Sequence, residues 1–381
     1  LVQYGNICFE LGLAQHWLDL CQILQIQFHP TESSATAKFV YWRGMANLLT
    51  GRYKQGLIDL EARYLAEGKM SPDDLRKHYG LPCLSALDLK LASNQNILLF
   101  LDPGFGYGDF FFSLRFVDCL RPYASSISLI SNRVLNEFAL ASGCFDQVLD
   151  VDDDPADYSF DAACHLSGLA IMVCDGKLED LPLPVVEISE ALMPAWCVKL
   201  REKPRDVPLV ALNWQGNQAA ENLAGQGIRE RSFQVSDLEL ISALKSCHLI
   251  SVQVGKAEFD LEPSSLSNYL LPEQDFFHRQ DKSFLNTASV LLACDLLITN
   301  DTSVAHLGGL LGIPTWVVLK CHPSWHWGDQ GSTTPWYPSI RCFRQHQPFV
   351  WGGAMQDVDQ ALKSFVSEWH RHREIQESPC L

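Results

Sequence analysis

ITNDTSVAHLGG, residues Ile298 to Gly309, decides how the rest of the chain is read. Leu296 to Thr299 is an apolar run of strand length, and Asn300 and Asp301 close it. A small-residue helix opens at Thr302, with Asp301 placed to cap it. A strand that runs straight into a helix is half of a βαβ unit, and therefore belongs to a parallel sheet. The first-turn N–H groups of Thr302, Ser303 and Val304 then stand at the strand's carboxyl end with the positive end of the helix dipole, which suits a diphosphate. Gly308 and Gly309 let the helix lie close against the sheet. The plainer alternative is an N-cap on a packing helix with His306 as a core histidine.

Outward from this stretch the same alternation repeats. PLVALNW (Pro208 to Trp214), HLISVQV (His248 to Val254), DLLIT (Asp295 to Thr299) and TWVVL (Thr315 to Leu319) read as one set of strands. ILLFL (Ile97 to Leu101), SISLIS (Ser126 to Ser131) and DQVLDV, ending at Val151, read as another, with helices at Phe110 to Leu120 and near Val134 to Ala141. Strands alternating with helices imply parallel sheets covered on both faces. The break at REKPRD, between Leu200 and Val207, splits them into two doubly wound α/β domains, residues 96–203 and 204–350. Ligands in such sheets bind beyond the carboxyl ends of the strands.

Residues 1–70 follow a different pattern. Gly5 and Gly12 stand seven apart, as do Gly44 and Gly51, each pair within a helix-turn-helix pattern. The first glycine lets two helices approach and the second ends the first helix. In the second copy Ala37, Tyr41, Gly44 and Leu48 line one face. The pattern resembles tetratricopeptide repeats, with TESSA (Thr31 to Ala35) as an insertion; an ordinary αα-hairpin bundle is the alternative. Residues 71–95 read as a linker. Residues 351–381 read as a C-terminal helix and tail, with Val358, Leu362, Phe365 and Trp369 on one face, docking across the domains, and His370 and His372 exposed.

Composition narrows the function classes. Hydrophobic residues are 47% and charged residues 19% of the 381, the balance of a folded globular chain. Lys plus Arg number 29 against 45 Asp plus Glu, for a formal charge of −16, and no basic block offers a track for nucleic acid. No apolar run is long enough to span a membrane, and LVQYGNICFELG lacks the layout of a signal peptide. The thirteen cysteines show no C-x-x-C pair, so reduced, mostly buried thiols in a cytoplasmic protein are expected. The chain opens on Leu1 rather than Met, as a piece of a longer protein would.

CDLLITNDTSVAHLGGLLGIPTWVVL, followed by HPSWHWGDQGSTTPWYPSIRCFRQ (His322 to Gln345), resembles the C-terminal part of the GT-B glycosyltransferases related to bacterial heptosyltransferases and to O-GlcNAc transferase. More narrowly it is similar to the bacterial type in which this module follows tetratricopeptide repeats. The resemblance implies a cytoplasmic hexosyl- or heptosyltransferase of two Rossmann-like domains, with an acceptor domain first and a donor domain second. It implies that Asp301, Thr302, Ser303 and His306 hold the pyrophosphate of a nucleotide-sugar donor. Trp214, Gly216 and Asn217 match the family's strand-end turn. Arg229 and Arg231 fall where basic residues meet the phosphates, and Gln253 and Lys256 match a base- or ribose-contacting segment.

In LDPGFGYGDFFFSLRF (Leu101 to Phe116), Gly104, Gly106 and Gly108 allow close backbone approach, and the matching Asp109 is implied as general base for the acceptor hydroxyl. Asp109 capping its own helix is the alternative. The turn carries about two residues more than the family's, by motif matching alone, and Phe110, Phe111 and Phe112 replace mixed polar and small residues. Trp325 and Trp327, with Trp336 and Tyr337, line the cleft or stack on a sugar, or else pack in the core. LDVDDDPAD (Leu149 to Asp157) reads as a solvated acidic turn rather than a metal site, so neither metal nor cofactor is expected. The partners implied are a nucleotide-diphosphate sugar and a protein or glycan acceptor, the latter presented by the repeats. The competing readings are a catalytically silent repeat scaffold and a nucleotide-sugar epimerase of the same fold.

Overall fold

A computed structural model describes residues 2–24, 34–63, 80–84, 88, 94–101, 106–173, 186–217, 231–280 and 283–377. The chain divides into two compact units. The first takes in Leu1–Glu187 and the separate segment Ser324–Gly331, the second most of the chain from Ile188 onward.

The first unit begins with two helical hairpins, α1 (Val2–Glu10) with α2 (Ala14–Ile23) and α3 (Ser34–Leu49) with α4 (Tyr53–Leu60). Gly12 and Gly51, with φ of 69° and 82°, end the first helix of each hairpin in the left-handed conformation that glycine adopts at low cost. A Cβ on Gly44 would stand 2.9 Å from that of Asp59, so the small residue does set the approach of α3 to α4. Trp17 and Phe39, ring centres 4.6 Å apart, anchor the core between the hairpins. The buried Asp59 carboxylate is satisfied by Arg43 (Nε and Nη2, both 2.7 Å) and Gln55 (2.8 Å). Ala37, Gly44 and Leu48 are buried on α3, and Tyr41 is half-buried.

The sheet of this unit has four parallel strands in the order β3-β2-β1-β4: β1 (Gln95–Phe100), β2 (Ala124–Ser131), β3 (Gln147–Asp150) and β4 (Ala162–His165). Helices α5 (Tyr107–Leu114) and α6 (Arg133–Ala141) cover it through Phe111 and Phe138, in edge contact at 5.1 Å. Strand β1 begins two residues before the expected Ile97 and ends at Phe100. The expected helix to Leu120 stops at Leu114 and is followed by a separate 3₁₀ turn, Val117–Leu120. Part of the stretch read as a linker joins this sheet: the Ala163 N–H donates to Pro82 O, and the Leu84 N–H to Ala163 O, both at 2.9 Å.

The second unit holds five parallel strands in the order β6-β5-β7-β8-β9: β5 (Leu209–Leu212), β6 (His248–Ser251), β7 (Leu296–Asn300), β8 (Thr315–Leu319) and β9 (Ile340–Arg344). Among the described residues its helices are α7 (Ala195–Glu202), α8 (Val235–Leu238), α9 (Gln274–Arg279), α10 (Phe284–Leu291), α11 (Ser303–Leu310) and α12 (Gly352–Glu377). Every residue of β7 and β8 is buried, as a parallel sheet covered on both faces requires. The expected strand over His248 to Val254 ends at Ser251, with the Val252 N–H still donating to Leu212 O at 3.0 Å and Gln253 buried beyond it. Met355, Val358 and Leu362 of α12 enter this unit's core, with Phe365 packed against it, and His370 and His372 are exposed. Among the described residues, no helix is long and apolar enough to cross a membrane.

Candidate functional site

Strand β5 leads to β6 on one side, whereas β7 lies on its other side, so the winding of the second sheet reverses between β5 and β7. A reversal of that kind opens a crevice beyond the carboxyl ends of the two strands. The residues found there are Asn213 after β5, Gln253 after β6, and Asn300 to Thr302 at the end of β7.

Side chains lace these three strand ends together. The Asn213 Oδ1 accepts from the hydroxyls of Thr299 and Thr302, each at 3.1 Å, while its Nδ2 donates to Gln253 Oε1 at 2.9 Å. That same Oε1 accepts the N–H groups of Trp214 (3.1 Å) and Gln215 (2.9 Å), and the Gln253 Nε2 donates to the carbonyls of Gln215 and Val254 at 3.2 and 3.0 Å. Gln253 is thus used on the protein itself. All of these side chains are buried, where each hydrogen bond contributes about 1 kcal/mol net and an orphaned partner costs about 1–3 kcal/mol.

Helix α11 starts one residue later than expected, and Asp301 does not cap it. Thr302 occupies the N-cap position with an extended backbone (φ −140°), and its hydroxyl is turned to Asn213 instead of to its own helix. The N–H of Ala305 reaches Thr302 O at 3.1 Å, whereas the N–H groups of Ser303 and Val304 have no carbonyl within the helix to reach. Their donors stand at the crevice with the dipole's positive end. Further along, a Cβ on Gly308 would meet Thr315 Oγ1 at 2.5 Å, and one on Gly309 would meet Tyr337 Cδ1 at 2.5 Å, so the helix rests on the sheet through bare backbone. His306 is buried, with Nδ1 3.0 Å from the Tyr337 hydroxyl.

The neighbouring turn converges on the same place. The Asn300 Nδ2 donates to the Arg231 carbonyl at 3.2 Å, and the Gly216 N–H donates to Ser232 Oγ at 3.0 Å. Asn300 Oδ1, fully buried, has no hydrogen-bond partner among the described residues. Trp214 is fully buried, Arg231 half-buried, and Asn217 and Lys256 are exposed. Arg229 and Gly104 lie outside the described residues. Asn213, Thr299, Asn300 and Ser232 were not among the expected site residues; the signal for two of them is an asparagine closing each of two apolar strands.

In the first unit, Gly106 holds the N-cap position of α5 and its N–H donates to Asp109 Oδ2 at 3.1 Å, so Asp109 does cap its helix. Gly108 is the second residue of that helix. The other carboxylate oxygen, Oδ1, lies 3.9 Å from Nε2 of His326, on the single 3₁₀ turn Trp325–Trp327. The Asp109 side chain is 45% exposed and that of His326 only 6%. The imidazole stacks on Trp325 (3.7 Å between ring centres), meets Phe112 edge-on at 4.8 Å, and has Nδ1 2.7 Å from Ser324 Oγ. The phenylalanine run is therefore packing: Phe110 and Phe111 fill the core and Phe112 walls His326 and Trp325. Trp325, Trp327, Trp336 and Tyr337 are all buried.

The acidic run serves its own turn. Asp153 Oδ2 accepts from Asp150 N at 2.8 Å, Asp150 Oδ1 from Asp152 N at 3.2 Å, and Arg133 stands 3.6 and 3.7 Å from Asp150 and Asp152. Cys21, Cys197 and Cys247 are buried thiols, each pushed up to about 12 chiefly by desolvation, and act as small apolar groups.

No protein-family model matches the chain. Among curated proteins, it is 32% identical over 83 residues to protein FlbA of Caulobacter vibrioides, a match that takes in 22% of this chain and 13% of that protein's length. Among solved structures, the glycosyl transferase family 9 protein from Veillonella parvula superposes with a TM-score of 0.50 at 11% identity, over 72% of this chain and 98% of that one. E. coli ADP-heptose lps heptosyltransferase II does so with a TM-score of 0.50 at 12% identity, over 72% and 99%. What is shared is the fold, mixed α/β with parallel sheets as in GT-B glycosyltransferases.

Proposed function

We propose that this protein is a glycosyltransferase that moves a sugar from a nucleotide-diphosphate donor to an acceptor hydroxyl on a protein or glycan, with inversion at the anomeric carbon. The observation that carries the reading is the α11 terminus, held by Asn213 at the point where the winding of the second sheet reverses. Oriented N–H groups there need no reorganisation to receive the charge that grows on a departing diphosphate. The two solved structures of the same fold support it, one of them bearing ADP-heptose in its name.

In this reading Asp109 takes the proton of the acceptor hydroxyl, whose oxygen forms the new bond to the anomeric carbon as the diphosphate leaves with its electron pair. The N–H groups of Ser303 and Val304, with Arg229 and Arg231, stabilise that leaving group, while the Thr302 hydroxyl holds the helix terminus to Asn213. Gly216 and Asn217 shape the strand-end turn, Lys256 reaches the nucleoside, and His306 and Gln253 hold the frame. The first sheet serves the acceptor and the second the donor. The helical hairpins act as tetratricopeptide-like repeats that present the acceptor, in the cytoplasm.

Calorimetry with ADP, UDP and GDP tests the reading. One of the three should bind, and Arg231→Ala should weaken it by roughly 1.5–3 kcal/mol, the worth of a charge-assisted hydrogen bond. Asp109→Asn should leave binding intact and lower turnover by about 10²–10⁴-fold. Failure of all three nucleotides to bind would leave the scaffold reading in its place.

A further inference from the structure

We infer that His326 is a positioning residue for Asp109, presenting an N–H to its Oδ1 so that the carboxylate is held in place until it takes the acceptor's proton. The inference rests on the transferase reading above and extends it to a residue on the Trp325–Trp327 turn.

Each of the two carboxylate oxygens has its own neighbour. Oδ2 is fixed by the Gly106 N–H at 3.1 Å, which sets the rotation of the carboxyl group at the head of α5. Oδ1 faces Nε2 of His326 at 3.9 Å. That separation is an ion-pair distance, longer than a hydrogen bond, and contacts of this kind commonly tighten only when substrate is bound.

The imidazole is held from every side. Trp325 stacks on one face, Phe112 meets it edge-on, and Ser324 Oγ lies 2.7 Å from Nδ1. With the Ser324 O–H donating to Nδ1, the neutral ring carries its hydrogen on Nε2, on the side of Asp109; this tautomer is assigned from the hydrogen-bond geometry. The surrounding aromatic rings keep water from the imidazole, whose side chain is only 6% exposed. Helix α3 packs against the same 3₁₀ turn, so the second helical hairpin buttresses the histidine.

During transfer the acceptor proton passes to the remaining lone pair of Oδ1, the acceptor oxygen's electron pair forms the new bond to the anomeric carbon, and the old bond's pair leaves with the diphosphate. His326 keeps its own hydrogen throughout. Its contribution is orientation and the dipole of a fixed N–H, as in other base-and-orienter pairs.

Two substitutions separate this role from packing. His326→Gln keeps an N–H donor, whereas His326→Phe keeps only the ring shape. The assay is release of nucleoside diphosphate from ADP-, UDP- and GDP-sugars with water as acceptor. The expected result is an unchanged KM for the nucleotide sugar in both variants, a kcat lowered about 100-fold in the Phe variant, and recovery to within about tenfold of wild type in the Gln variant. A wild-type kcat in the Phe variant, or equal losses in both, would overturn the proposal.

A readout without catalysis guards against variants that fail to fold. The ring ¹⁵N resonances of His326 are compared between the wild-type protein and Asp109→Asn, a change at a half-exposed side chain. A shift at Nε2 supports the pair, and identical spectra overturn it. If the wild-type protein binds no nucleotide and releases none, the transferase reading falls and takes the positioning role with it, and the spectra still show whether the two side chains are coupled.

Discussion

Gln253 shows how much one buried amide can do. Its Oε1 collects three donors from the end of β5 and its Nε2 answers two carbonyls. Gln253→Leu keeps the bulk but leaves the N–H groups of Trp214 and Gln215 and the Asn213 amide without that acceptor. The expected loss is at least about 3 kcal/mol in urea unfolding, since each orphaned buried group costs about 1–3 kcal/mol. An unchanged midpoint would mean that water satisfies these groups. At this scale the sequence was only partly legible. Thr302 and Asp109 stand out because they sit in short motifs beside glycines. What their oxygens bond to does not, because the partners Asn213 and His326 come from distant strands and turns, and no local spacing encodes them.

Among the elements, α12 carries a test of its own. Asp359 Oδ1 accepts the Ala243 N–H at 2.8 Å and the Ser242 hydroxyl at 3.0 Å, and Lys363 lies 2.7 Å from Oδ2. Burial alone would raise this carboxyl, but Lys363, the Ala243 N–H and the Ser242 hydroxyl together outweigh it and hold it below its ordinary value. A carboxyl lowered by folding contributes stability that is present above its unfolded value of about 4 and is lost as pH falls through the folded one. Asp359→Asn should therefore cost about 1 kcal/mol at neutral pH and flatten the acid side of the stability curve. Equal slopes for both proteins below pH 4 would refute the attachment.

Element existence was easier to read than element extent. TWVVL is the strand β8 residue for residue, because a fully buried parallel strand is a continuous apolar run. AACH (β4) lacks the branched residues that mark a strand, and IRCFR (β9) alternates with arginines; both went unseen as strands. Helix α11 begins after Thr302 because that hydroxyl is claimed by Asn213, a tertiary bond that overrides the local capping signal.

For the whole molecule, two parallel sheets preceded by helical hairpins follow from periodicity alone, whereas the grouping of Ser324–Gly331 with the first unit does not. That segment's short apolar and aromatic run packs against Phe112 and α3, far away along the chain. On the proposed reading, a chain of charge −16 that binds a diphosphate must concentrate its few cations and oriented N–H groups at one place. Because the acidic turn at Asp150 to Asp153 is occupied with its own backbone and Arg133, EDTA should leave nucleoside diphosphate release unchanged. Loss of activity on chelation, restored by Mg²⁺, would bring a divalent ion back into the account.

The bare inward face of α11 sets a limit on how this protein can drift. One residue inserted between Asp301 and Gly309 would swing the register by about 100° and drive a side chain into Thr315 or Tyr337. Sequences sharing this architecture should accordingly vary freely in the length of their surface loops while this segment keeps its length, and a set of such sequences with frequent gaps here would contradict the tight seating.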